Sequence, residues 1–518
     1  MRRGLRFLLG GIVVFALASL LAVYGFGRFA KAARGQPGHA LPADRVETVL
    51  DREIAPLAAA RPGQAGIALV DENLDAFAIR ALTARAAGRS LDLQYYIWHH
   101  DFTGNLLGHE VLRAADRGVR VRLLLDDMNA HGNDSVLAIL DSHPRIEVRL
   151  FNPSRSRSGY LGRGTELLLR ARSLNRRMHN KIWLADGRIA VVGGRNIGDE
   201  YFDAAADVNF MDTDVAMVGS AARQAEEVFD AYWNSASAIP LAALVDPAPD
   251  ALDRVRASLD AGLGSDRAGP YLERLRASER VSELLQGRGS VHWTENAMLV
   301  SDPPQKAEGA PQRPDWMTPV LVARVSTARR ELKLISPYFV PGHAGLEWLS
   351  GMRGRGVEVS ILTNSLAAND VLAVHGGYAG YRVPLLRAGI ALYELKPHGA
   401  VDTSLFGSSG ASLHTKAYVV DGSHGFIGSF NLDPRSIKLN TEMGLMFDHP
   451  GAAAELEALY AKKTSAQTAY RLALEDGRLR WHDDAAQPPA TWEREPEAKA
   501  WQRAAARVIG WLPLESQL

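Results

Sequence analysis

The apolar positions begin with an unbroken block: from Phe7 to Phe26 the chain runs without a charged residue. At about 1.5 Å of rise per residue, a helix of that length spans the roughly 30 Å hydrocarbon layer of a bilayer. The block therefore predicts one membrane-spanning helix. A cleaved signal peptide is the alternative, with Arg2, Arg3 and Arg6 as its basic leader and Ala30-Lys31-Ala32 as its small-residue site. Three basic residues precede the block and three follow it (Arg28, Lys31 and Arg34), so the flanking charges do not orient it. The free amino terminus tips the balance towards an inside N-terminus, which puts the rest of the chain on the outer face.

After residue 36 the pattern changes to short β-rich runs alternating with helical ones, which predicts an α/β fold. SLDLQYYIW followed by LLGHEVLRAADRGVRVRLLLDD reads as strand, helix and strand, the last entered after Gly118. ELKLISPYFV followed by GLEWLSGMRGRGVEVSILTNS repeats that order, with Gly356 in the equivalent place. The chain thus reads as a duplication. Residues 1–36 form the membrane anchor, 37–240 the first half, 241–315 a linker or insert, and 316–518 the second half with a helical extension from Pro450. The linker is marked by VDPAPD and PPQKAEGAPQRPD, and it contains a charged helical run, AGPYLERLRASERVSELLQG. The closing VIGWLPLESQL carries Trp511, Leu512 and Leu514, which suit either a membrane interface or packing on their own domain.

Composition then excludes several classes. Fifty-nine basic and fifty-nine acidic residues leave no net charge, which argues against coating nucleic acid by bulk electrostatics. Hydrophobic residues at 47% and charged ones at 23% are ordinary for a globular chain and exclude disorder over its bulk. The absence of cysteine removes disulfides, thiolate metal sites and cysteine nucleophiles together.

The chemistry is duplicated as well. MHNKIWLADG sets His179, Lys181 and Asp186 in the pattern H-x-K-x4-D, and LHTKAYVVDG sets His414, Lys416 and Asp421 in the same pattern. On a strand, residues two apart project to one face, so each His and its Lys point the same way. Asn196 follows Asp186 at the interval at which Asn431 follows Asp421, and Thr213-Asp214-Val215 resembles Thr441-Glu442-Met443 after one small gap. Two lysines and two amides around one phosphate would stabilise the charge that grows as a nucleophile attacks phosphorus. Of two imidazoles, one can attack while the other protonates the leaving alkoxide and later deprotonates the acceptor. A carboxylate behind each ring would fix its tautomer; Glu442 is expected behind His414 and Asp214 behind His179.

Asp186 and Asp421 are expected in the catalytic set as structural supports, since each stands before a glycine (Gly187, Gly422), which suits turn chemistry too. Asn196 and Asn431 are expected to bind substrate. No metal is required, since Lys in H-x-K makes poor ligand spacing. His99 and His100 beside Asp101 read as loop residues at a strand end. Seven arginines (Arg155, Arg157, Arg163, Arg170, Arg172, Arg176, Arg177) with only Glu166 among them make a basic segment, either a solvated loop or an attraction for anionic lipid.

These paired motifs, with the runs LDLQYYIWHHDFTG, VVGGRNIGDEYF, TNSLAANDVLAVHGGYAGYR and IGSFNLDPRS, resemble the phospholipase D superfamily, and within it the bacterial cardiolipin synthases of the C type. The resemblance covers roughly Leu69 to Phe447 and resumes at LPLESQL. It implies two α/β halves sharing one active site, no cofactor, a phosphatidyl-histidine intermediate and transfer of phosphatidyl to phosphatidylglycerol. Phosphatidylethanolamine is the implied donor, His179 the implied nucleophile and His414 the implied acid/base. The implied location is the bacterial inner (cytoplasmic) membrane on a single-pass anchor, where the main cardiolipin synthase type has two spans. Hydrolysis of phospholipid is the nearest alternative activity; a nuclease is more distant, and no nucleic acid partner is expected.

Overall fold

The computed structural model describes residues 2–42, 47–157, 159–277, 283, 291–398, 410–512 and 515–517. The N-terminal apolar block lies in one helix, Arg2–Ala32. From Arg6 to Ala32 it is long and apolar enough to cross a membrane, and its apolar stretch is not buried in protein. Only its C-terminal end is packed: Phe26 and Phe29 lie against the guanidinium groups of Arg170 and Arg155. The chain that follows is stitched to the first half, where Arg149 Nη2 donates to Gln36 O at 2.6 Å and Ala40 N donates to Asp230 Oδ2 at 2.9 Å.

Each half is built on a mixed sheet. The first has nine strands in the order His292–Thr294, Ala65–Val70, Asp214–Gly219, Ile189–Gly193, Ile182–Ala185, Ser90–Tyr95, Arg120–Asp126, Ile146–Phe151 and Ala238–Pro240. The second has ten: Ala297–Ser301, Met443–Asp448, His424–Gly428, Ala417–Val420, Glu331–Ile335, Glu358–Asn364, Ala391–Leu395, Ala469–Glu475, Arg478–Asp483 and Ala490–Trp492. The expected strand-helix-strand units form the parallel core of both sheets. Gly118 and Gly356 take φ of +96° and +88°, the left-handed conformation that turns each chain out of its helix and into the next strand.

The two sheets share a core. Ile182, Leu184 and Val192 from the first half cluster with Ala417, Val419 and Ile427 from the second. A two-stranded parallel ribbon, Val208–Met211 with Gly410–Leu413, also crosses between halves.

The structure adds two details at the ends of the halves. Residues 241–315 are more than a linker: His292–Thr294 closes one edge of the first sheet, and Ala297–Ser301 closes an edge of the second. Covering an edge strand in this way satisfies backbone groups that would otherwise be open to pairing with another chain. Of the charged helical run, Ala268–Arg276 is helix, and most of the remainder lies outside the described residues. The C-terminal extension is only partly helical. After the helix Pro450–Lys463, three strands widen the second sheet before the final helix Ala500–Gly510.

Candidate active site

Each H-x-K motif enters its strand after its backbone has been tied to the opposite half. His179 N donates to Thr441 O at 2.9 Å, and His414 N donates to Met211 O at 2.9 Å. These symmetric bonds bring the residue after each acceptor under a ring. His179 Nδ1 lies 2.8 Å from Glu442 Oε2, and His414 Nδ1 lies 2.6 Å from Asp212 Oδ2. Each imidazole is therefore oriented by a carboxylate from the other half of the chain. With Nδ1 committed as the donor, Nε2 of both rings forms no hydrogen bond to protein among the described residues and is left to meet substrate.

This overturns the expected pairing twice. Glu442 stands behind His179 and not behind His414, and the partner of His414 is Asp212 and not Asp214. Strand register gives the reason. Gly193 lies opposite Asp214, whereas the equivalent Gly428 lies opposite Gly444, so Asp212 and Glu442 are the equivalent positions. The Asp214 carboxylate is buried between Arg80 (2.8 Å) and Arg195 (3.4 Å), a structural ion-pair cluster.

Glu442 is fixed from behind by the Ser429 and Ser436 hydroxyls, the latter at 2.8 Å. Its pKa lies below the usual range: burial opposes this, but the His179 ring, Lys181 and Ser429 outweigh burial. Asp212 is likewise held low, against its burial, by His414, Lys416 and Arg195. Tyr96 packs edge-on to His179 with 5.1 Å between ring centres, and Tyr201 edge-on to His414 at 5.3 Å.

The lysines complete a cationic centre. Lys181 Nζ donates to His179 O at 2.7 Å, and Lys416 Nζ donates to His414 O. Both are buried, and burial pulls their pKa values down to about 7 and about 8. His179 is lowered to about 4, chiefly by burial, with Lys181 and Lys416 adding to the effect against Glu442. His414 is lowered for the same main reason, helped by Lys416 and Lys181. That Lys416 acts on His179, and Lys181 on His414, reflects one centre shared by both halves. Such a centre receives an anion well: a bound phosphate would restore charge to the lysines and to one ring.

The remaining expected residues divide. Asn196 is buried and oriented by protein, its Oδ1 accepting from Ile97 N at 3.2 Å and its Nδ2 donating to Tyr201 OH at 2.9 Å. Asn431 is buried with its Oδ1 unpartnered. Asp186 and Asp421 are not brought to the centre. Each lies at the far end of the strand that follows its Lys, about 17 Å along the chain at 3.3 Å per residue. Asp186 accepts from the backbone N–H groups of Gly88, Arg89 and Ser90, and Asp421 from those of Arg329, Arg330 and Glu331. Their φ values of +53° and +52° match the turn before Gly187 and Gly422. They anchor the motif strands, a supporting role away from the reacting atoms.

His99 and Asp101 do lie at a strand end. Asp101 caps the helix Phe102–Asp116, and His99 Nδ1 stands 3.3 Å from Glu200. In the basic segment, Arg157, Arg170 and Arg177 are neutralised by Asp127, Glu166 and Asp126. Besides Asp212, the sequence reading missed Ser429, Ser436, Tyr96 and Tyr201; at the counterpart of Ser429 the first copy has Gly194, so the duplication gave no signal for the hydroxyl.

Paired H-x-K motifs at one cationic centre between two α/β halves define a phospholipase D-like phosphodiester enzyme. The family model described as "Cardiolipin synthase, PLD-like domain" matches residues 82–233 and 321–463, and the chain belongs to that family. Cardiolipin synthase C of Escherichia coli (strain K12) is 42% identical over 470 residues, covering 89% of this chain and 98% of that protein. A cardiolipin synthase of Geobacillus thermodenitrificans (strain NG80-2) is 27% identical over 361 residues, covering 69% of this chain and 58% of its own length. In fold, the chain is similar to a phosphatidylserine synthase of Haemophilus influenzae Rd KW20, with a TM-score of 0.55 at 12% identity over 93% of this chain and 96% of that one. Membership of this family brings phospholipid substrates and membrane association with it.

Proposed function

We propose that the protein makes cardiolipin by phosphatidyl transfer between two phospholipids. His179 Nε2 attacks the phosphorus of the donor lipid, the P–O bond to the headgroup breaks, and His414 gives its proton to the departing alkoxide. A hydroxyl of phosphatidylglycerol then loses its proton to His414 and displaces His179 from phosphorus, which regenerates both rings. The two lysines bear on the equatorial oxygens, where negative charge grows in both transition states. The observation that carries this reading is the crossed support of the rings, His179 by Glu442 and His414 by Asp212. The likeness to a cardiolipin synthase supports a cardiolipin product, the C-type resemblance of the sequence motifs implies phosphatidylglycerol as acceptor and phosphatidylethanolamine as donor, and the exposed N-terminal helix supports a single-pass anchor in the bacterial inner membrane.

The assignment of His179 as nucleophile fits its pKa of about 4, because such a ring is neutral and ready to attack over most of the pH range. The pH profile follows with a definite sign. kcat/KM should rise through about pH 4 as His179 loses its proton, and fall below the ordinary imidazole value of 6.5 as His414 loses the proton it must donate. In the lipid complex, the phosphate charge favours protonated His414, so the alkaline limb of kcat should lie at higher pH than that of kcat/KM. Coincident alkaline limbs would count against His414 as the acid.

Lipid mass spectrometry on a host that lacks its own cardiolipin synthases tests the function itself. Expression of this chain should restore cardiolipin. Phosphatidic acid without cardiolipin would mean that water discharges the intermediate, and the protein would then be a hydrolase.

A further inference from the structure

Outside the anchor, the five most exposed large hydrophobic side chains of the described residues, Leu161, Leu168, Trp501, Val508 and Trp511, lie on or directly after two helices. The helix Tyr160–Leu169 presents Leu161 (89% exposed), Leu167 and Leu168. The final helix, Ala500–Gly510, and the residues after it present Trp501 (58%), Val508, Trp511 (78%) and Leu512. Positions 501, 508, 511 and 512 fall on one stripe of a helix. That stripe cannot turn inward. On its other side the helix crosses Leu372–Ala379 backbone to backbone: a Cβ on Gly376 would stand 2.7 Å from Ala506 O, and one on Gly510 would stand 2.9 Å from Gly376 O.

The tail after this helix ties it to both halves beside the active site. Glu515 accepts from Tyr381 OH at 2.9 Å, and Gln517 Oε1 accepts from Asn175 Nδ2 at 2.9 Å. Arg435 donates to Asn175 Oδ1 and O at 3.0 and 2.9 Å. Asn175 stands four residues before His179, and Arg435 four residues after Asn431. Asn175 also directly follows the helix Ala171–Leu174, which continues the leucine-bearing helix against which the end of the membrane anchor packs. Anchor, leucines, Asn175 and the tryptophan stripe therefore succeed one another around the segment that leads into His179.

We propose that the helix Ala500–Gly510 with Trp511 and Leu512 is a second membrane contact, an interfacial element that seats the entrance of the active site on the bilayer surface. The occupant is lipid, because the stripe continues from an element already suited to the membrane. It also carries tryptophan, whose ring and N–H suit the headgroup boundary. Arg163 and Arg172 form no ion pair among the described residues, and Arg507 is exposed, so the same rim offers cations to anionic headgroups. The anchor alone would hold the protein near lipid; the second contact fixes which way the site faces. This inference rests on the lipid reading of the site, but its first test does not depend on turnover.

The chain has no cysteine, so one introduced thiol is unique. Full-length Val508→Cys, Trp511→Cys and, for comparison, Met298→Cys proteins, each labelled with an environment-sensitive nitrobenzoxadiazole, are reconstituted into phosphatidylcholine–phosphatidylglycerol vesicles. Met298 is exposed on an edge strand, paired with Met446 at the end away from Glu442. Probes at 508 and 511 should shift to the blue and be quenched by nitroxide-bearing lipid, while the probe at 298 should not. Equal solvent exposure at all three positions would overturn the proposal, whatever reaction the protein catalyses. As a second readout, Trp501→Ser/Trp511→Ser should lose about 10-fold in turnover on vesicles and little on detergent-dispersed lipid. Unchanged turnover on vesicles would also contradict it.

Discussion

Replacing Glu442 by Gln should lower turnover by about 10³-fold while leaving the protein folded, and Asp212→Asn should do the same. Both carboxylates are fully buried, and each holds a ring at Nδ1 with Nε2 free for substrate. An amide of the same size keeps the packing. It can accept from Nδ1–H only through its carbonyl, loses the charge that stabilises an imidazolium, and allows the tautomer that leaves Nε2 protonated. Asp214→Asn should behave differently: Arg80 and Arg195 lose their buried counter-charge, which costs about 3 kcal/mol of stability. Thermal melting and turnover measured on the three variants distinguish the two outcomes. If Asp214→Asn proved the catalytically crippled but stable protein, the crossed pairing would be wrong.

The histidine variants should show the largest losses. His179→Ala and His414→Ala should each fall by at least about 10⁴-fold, because a nucleophile and its proton donor act as one unit. The size of the loss in each single variant is the informative quantity. Two halves working as independent catalysts would each lose about half of the activity when one ring is removed. A shared centre loses nearly all of it from either side. His414→Asn should be equally inactive, since an amide cannot deliver a proton to the leaving alkoxide. Burst and steady-state assays on lipid dispersed in detergent measure these variants without involving the membrane contacts.

Much of this site was legible in the sequence because duplication repeats what chemistry needs: both H-x-K pairs, the asparagines and Glu442 stand in recognisable copies. Asp212 was hidden for a physical reason. Similar letters align Asp214 with Glu442, and only the pairing of Gly193 with Asp214, against Gly428 with Gly444, reveals the shift of register. The crossing of carboxylates between halves was also invisible, since a strand pattern records which face a residue takes and not which half covers that face. Asp186 and Asp421 carried the motif's spacing, and the glycine after each already pointed to turn chemistry; what the spacing could not show is that each holds three backbone N–H groups from a neighbouring segment. Pro and Gly around residues 241–315 suggested a linker, while the short apolar run Ala297–Ser301 inside it was the sign of an edge strand.

The most direct measurement is a single turnover with enzyme in excess over a phospholipid labelled in its phosphatidyl group, quenched in alkali, digested and mapped by mass spectrometry. One centre with His179 attacking and His414 handling the proton predicts label on the peptide containing His179 and none on the peptide containing His414. Label on His414, or equal label on both peptides, would contradict it.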